Sequence, residues 1–190
     1  SWSGGMRAVL ASRSALAGLA LGFLISLANE SVNIVFGAWL QDSFGLRVLA
    51  LGAAAAVIGV AELGGEGLVA ALVDRLGKRR AVAVGISLSA LACLGLPFLG
   101  RSLTGALVGL FFVYTTFEFT IVSAMPLMTE LVPQARATMM AGNVGAHSAG
   151  RAIGALLGPA LFSFGLRANG ALAAVLNLAA LAMLLLFVRE

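Results

Sequence analysis

Six ionisable residues lie inside long apolar runs: Glu30, Glu62, Glu66, Glu118, His147 and Arg151. Such groups are costly in apolar surroundings unless paired, hydrated or used. Ser26, Asn29, Glu30, Asn33 and Gly37 fall at i, i+3, i+4, i+7 and i+11, one polar stripe on a helix. Desolvation favours the neutral form of a carboxylate, as a proton-coupling group requires, whereas a cation beside it makes it a fixed tie between helices. Glu30 is open to both readings. Glu62 and Glu66 are four apart on one face, and like charges there repel unless one is protonated or a cation sits between them. Glu66 reads better as part of a network with the basic residues downstream; for Glu62 proton handling and structural pairing stay open.

Glu118 lies in YTTFEFT with Tyr114 one turn earlier, and its nearest credible counter-charge is Arg151. Arginine keeps its proton, so that pair would gate by pairing rather than by titrating, or would simply hold helices together. An unpaired guanidinium at mid-membrane costs at least about 2.5 kcal/mol, so compensation of Arg151 by Glu118 or Glu30 is expected. His147, four residues before Arg151, stands beside Gly142, Ala146, Gly150, Gly154 and Gly158, each four apart. That stripe lets another backbone approach closely. His147 is either a hydrogen-bonded packing residue or a ligand. No second His, Cys or paired carboxylate stands at metal-binding spacing, so no metal site is expected. The single His is adjacent to Ser148, whereas a Ser–His hydrolase needs its base on a different helix; no enzyme activity is expected. No Gly-rich phosphate loop with Lys occurs and no cofactor is implied.

The elements that position these residues must be membrane helices, since 61% of the 190 residues are apolar and 11% charged. A span needs about 20 mostly apolar residues, and six fit, at about 14–37, 48–73, 81–99, 103–127, 138–162 and 170–188, after a cytoplasmic lead-in at 1–13. The short connections make one antiparallel bundle, a single six-helix transmembrane domain. The charge of +4 is too scattered for a nucleic-acid surface. Arg7, Arg13, Arg75, Lys78, Arg79, Arg80, Arg136 and Arg189 fall on one side, against Arg47, Arg101 and Arg167 on the other. The positive-inside tendency places both termini in the cytoplasm. Cys93, in the third span, reads as a small core residue and excludes an internal disulfide. No apolar run before the first span suggests a secretory signal.

Helices one, two, four and five carry the intramembrane charges, and helices three and six carry none. The pattern repeats every three helices, and an odd number per unit inverts one triplet relative to the other. The expected fold class is an all-α membrane bundle of two inverted three-helix repeats, a signature of secondary transporters.

The stretch DRLGKRR at 74–80, with Asp74, Arg75, Gly77, Lys78, Arg79 and Arg80, resembles the cytoplasmic loop motif of major facilitator superfamily transporters. The family pattern has Gly four residues before the Asp, where this chain has Ala70. The segments at 28–46 and 59–80 look like the seventh and eighth helices of bacterial efflux-type members, and that at 125–143 like their junction between helices ten and eleven. The resemblance covers essentially the whole chain and implies the C-terminal half of a twelve-helix transporter. Its helices three and six then correspond to the outer helices nine and twelve.

The resemblance implies secondary active transport, with proton-coupled efflux of a small amphipathic compound as the leading function. Asn29, Glu30, Asn33, Glu62, Glu118, His147 and Arg151 are its candidates for coupling or cavity lining. The alternative is a transporter-derived scaffold or assembly subunit. The implied partners are lipid, the small-molecule substrate, and a second six-helix half, another copy or subunits of a larger complex; no nucleic acid is expected. The expected location is the inner membrane of a bacterium. Glu30, Glu62, Glu118 and Arg151 should face a polar cavity or partner, with Cys93 and helix six turned outwards.

Overall fold

The computed structural model describes residues 2–188; Arg189, placed above on the cytoplasmic side, lies outside them. Among the described residues no β-strand occurs. The helices are α1 (Trp2–Ala11), α2 (Arg13–Asn33), α3 (Phe36–Phe44), α4 (Val48–Leu76), α5 (Lys78–Leu99), α6 (Leu103–Leu131), α7 (Arg136–Phe162) and α8 (Leu166–Phe187). The lead-in is therefore helical, and each span begins or ends a few residues from its hydropathy cut. Polar side chains set several starts: Ser12 Oγ accepts from the Ala15 amide at 3.2 Å and Ser102 Oγ from the Gly105 amide at 3.1 Å, so each caps a first turn. Between α4 and α5 the chain turns at Gly77, whose φ of 82° a side chain would strain.

Among the described residues five segments are long and apolar enough to cross a membrane on their own: α2 with α3, α4, α5, α6 and α8. The sequence predicts six. The difference is α7, long enough at 27 residues but diluted by Asn143, His147, Arg151 and five glycines. It is nonetheless packed into the bundle, chiefly against α2.

The first span is broken between Asn33 and Phe36, where the sequence reading runs one helix through Gly37. Asn169 of α8 supplies the cause. Its amide nitrogen donates to the Ser31 carbonyl at 2.7 Å, the oxygen that the Val35 amide would otherwise take. Val35 instead donates to Val32, one residue short of helical spacing, and an inserted side chain of this kind kinks a helix. Gly37 thus stands beyond the break rather than in the stripe. Asn169 lies inside α8 and also bonds the Gly158 carbonyl at 2.8 Å.

Packing exchanges partners between the two halves of the chain. Helix α2 lies chiefly on α7 and α8, α6 lies chiefly on α4 and α5, and α5 meets α8. Each triplet thus inserts its first helix into the other triplet. The crossings match in detail. A Cβ on Gly154 of α7 would stand 2.7 Å from Glu30 Cβ and 3.0 Å from the Leu27 carbonyl oxygen; one on Gly65 of α4 would stand 2.8 Å from both Glu118 Cβ and the Thr115 carbonyl oxygen. In both crossings a glycine seats the backbone of the partner helix where a glutamate follows three residues after the touched carbonyl.

Cys93 is corrected: it is 1% exposed, inside the bundle rather than facing outwards. Helix α8 crosses α5 so closely at Gly170 that the Cys93 carbonyl lies against it. The opposite faces of α5 and α8 are exposed, with Leu91, Val175 and Leu178 among their residues.

Candidate functional site

One cavity of about 440 Å³ opens among α2, α4, α6 and α7, and α5 and α8 contribute none of its lining. Helix α2 supplies Ser26, Asn29, Glu30 and Asn33. Glu62 enters from α4, Tyr114 and Glu118 from α6, and Asn143, His147 and Arg151 from α7. All seven residues named from sequence as coupling or cavity-lining candidates therefore share one space. Glu66 is exposed and outside it.

Hydrogen bonds tie one wall together. Glu30, 7% exposed, receives the Asn33 amide on Oε1 at 3.2 Å and the Arg151 guanidinium on Oε2 at 3.3 Å. Tyr114 donates to Asn33 Oδ1 at 2.6 Å, so a continuous path of polar contacts joins α6, α2 and α7. Of the two partners expected for Arg151, Glu30 is the one it meets. The glycine stripe of α7 makes this possible, since Gly150, Gly154 and Gly158 all lie against the α2 backbone and bring the two helices close enough for short side chains to meet.

The other wall differs. Glu62 and Glu118 make no hydrogen bond or ion pair among the described residues, although Glu118 lies within electrostatic reach of Glu62 and Glu66. Asn29 Oδ1 is buried without a partner. Asn143, 6% exposed, makes no hydrogen bond among the described residues. Sequence reasoning missed Asn143, yet its signal was present: Asn143, His147 and Arg151 are spaced by four and share a face of α7.

His147 is hydrogen-bonded to Ser26, with Nδ1 and Oγ 2.5 Å apart. The relevant serine is thus on a different helix, not the adjacent Ser148 considered from sequence. Both residues sit inside continuous helices, where backbone N–H groups are already engaged. The pair ties α2 to α7.

At the α4–α5 turn, Lys78 pairs with Glu130 of α6, a half-exposed contact worth at most about 1 kcal/mol. Arg79 donates to the carbonyls of Leu185 at 2.9 Å and Val188 at 3.0 Å. It caps the end of α8, where carbonyls lack helical partners and the dipole favours a cation. Asp74, Arg75 and Arg80 are exposed. Replacing Arg79 with Ala is expected to cost α8 about 0.3–1 kcal/mol locally. Hydrogen exchange in nanodiscs should then show faster exchange over 184–188, with α2 and α7 unchanged.

Long apolar helices, exchanged packing of two triplets, and ionisable groups gathered where four helices meet define a multi-pass integral membrane protein of the transporter class. A family model described as Major Facilitator Superfamily matches residues 19–190, and no curated protein matches the chain. The chain belongs to the Major Facilitator Superfamily, a family of membrane transporters.

Proposed function

We propose that this protein works as one half of a proton-coupled secondary transporter, exporting a small amphipathic compound across the inner membrane of a bacterium. The observation that carries this reading is the presence of Glu62 and Glu118, without an ion pair among the described residues, in one cavity with the Glu30–Arg151 pair. Carboxylates withdrawn from bulk water can exchange protons with a bound compound. The cavity is flanked by exposed faces of α4 and α7, including Val60 and Leu63 on one and Val144 and Leu156 on the other. A second six-helix half laid across those faces would enclose a path between them. Both termini and the α4–α5 turn then lie in the cytoplasm.

Everted membrane vesicles test the coupling. Respiration acidifies their interior, acridine orange reports the gradient, and a panel of anionic, neutral and cationic amphiphiles is added. A substrate should release part of the gradient, and the variant with Glu30, Glu62 and Glu118 all changed to Gln should abolish that release. Equal release from the variant would overturn proton coupling. No movement of any compound would instead favour a non-transporting scaffold.

Sidedness is checked separately with Arg80→Cys, the native Cys93 being buried. An impermeant maleimide should leave it unlabelled in intact cells and label it in everted vesicles. The reverse pattern would invert the topology.

A further inference from the structure

A second recess shares no lining residue with the polar cavity. Helices α4 and α5 are joined at Gly77, yet each packs chiefly on other helices, α4 on α6 and α5 on α6 and α8. A slot is left between them. Leu68 and Leu72 of α4 form one wall, Val84 and Leu88 of α5 the other, and Thr115 and Thr116 of α6 lie on its floor. Leu68, Val84 and Leu88 are exposed, so the slot is open at the surface of the bundle. Thr115 Oγ1 donates to the Ala61 carbonyl at 3.1 Å and Thr116 Oγ1 to the Phe112 carbonyl at 2.8 Å; both hydroxyl protons are already placed. The volume is about 100 Å³. Pockets for drug-sized molecules begin at about 300 Å³, so this slot suits a hydrocarbon chain instead.

Positive charge stands at the end of the slot towards Gly77. Arg80, Val84 and Leu88 are spaced by four on α5, and Arg75 follows Leu72 by three on α4, so both arginines continue the walls of the slot into the basic turn. Both are exposed, and neither makes a hydrogen bond or ion pair among the described residues. Their neighbours differ, since Lys78 is held by Glu130 and Arg79 by the end of α8. Asp74 is two residues from Leu72 and therefore on another side of α4. At about 1.5 Å per residue, Leu88 lies about 12 Å deeper than Arg80. That is most of the roughly 15 Å that one leaflet contributes to the hydrocarbon core.

We propose that this slot seats one acyl chain of an anionic phospholipid whose phosphate is held by Arg75 and Arg80. Two unpaired guanidiniums complement a phosphate, which the arginine fork binds in bidentate fashion, and basic pockets at the ends of membrane helices recognise anionic headgroups. The apolar channel below them continues in the direction that the lipid's chain must take. Helices α5 and α8 of a second copy would fill the slot but carry no acidic residue for the arginines. Because the slot lies outside the polar cavity, the inference stands whether or not the protein moves a compound.

Photocrosslinking in nanodiscs tests it, the probe being phosphatidylglycerol with a diazirine in one acyl chain. Adducts mapped by mass spectrometry should fall on 68–76 and 84–88 and saturate with probe. Unlabelled phosphatidylglycerol should displace them about tenfold more effectively than phosphatidylcholine, a comparison made on the unmutated protein and so independent of any variant's folding. Arg75→Gln and Arg80→Gln should each lower that preference several-fold and together abolish it, whereas Arg136→Gln, outside the slot, should leave it unchanged. Val84→Trp should fill the slot and remove the adducts; Leu91→Trp, on the same helix but not lining the slot, should keep them. Equal displacement by the two lipids would reduce the slot to ordinary boundary lipid and overturn the proposal. An undiminished preference in the folded double variant would overturn it as well. So would the absence of adducts from the slot, and a disulfide-linked dimer of Val84→Cys would then identify a second copy as the occupant.

Discussion

Replacing Gly154 with Val is expected to unseat α2 from α7 and lower stability by about 1–3 kcal/mol or more. The Cβ alone would stand 2.7 Å from Glu30 Cβ and 3.0 Å from the Leu27 carbonyl oxygen. Backbone cannot swing aside as the end of a flexible side chain can. A mid-helix valine also has little rotamer freedom with which to escape. Gly65→Val should do the same to the α4–α6 crossing, where the nearest obstacles are Glu118 Cβ and the Thr115 carbonyl oxygen. Gly67→Val, with nothing within 4 Å, is the matched control. Thermal unfolding in detergent, followed by fluorescence-detected size exclusion, should show a clear loss for the first two and little for the third. A tolerated Gly154→Val would mean that the helices do not cross as described.

The second large effect concerns the ion pair. Arg151→Leu removes the charge facing Glu30, whose side chain is 9% exposed while that of Arg151 is 66% exposed. Breaking a fully buried pair costs roughly 3–5 kcal/mol, because the remaining charge is left uncompensated. Here the half-open guanidinium reduces the expected loss to about 1–3 kcal/mol. Glu30→Gln in the Arg151→Leu background should recover part of it, since an amide can keep the Asn33 contact without a stranded charge. Unfolding of the two single variants and the double variant gives the coupling between the residues directly. Additive losses would show that the two side chains act independently.

These crossings also separate what was legible in the residues from what was not. Apolar runs of spanning length announced a helical membrane bundle. The concentration of charge in helices one, two, four and five singled out the helices that line the cavity, because lipid leaves such groups no alternative partner. Spacing of four showed which side chains share a face, and so revealed the glycine stripe of α7 and the polar stripe of α2. Hydropathy overran in one place, carrying the first helix through Gly37. The break there comes from Asn169, 138 residues away from Ser31 in sequence, and no local propensity reports a distant amide.

Other choices needed the packed structure for the same reason. Arg151 had two possible carboxylates, and the exchange of helices between triplets brought Glu30 to it while setting Glu118 against α4. Ser26 rather than Ser148 meets His147, since neighbours on one helix diverge whereas residues on crossing helices converge. Cys93 sits inside because α8 crosses α5 at Gly170, a contact that a purely apolar span does not advertise. Residue types and periodicity determined which helices are polar and along which faces. Which faces meet depends on close backbone approach between distant segments, and only the tertiary structure decided that.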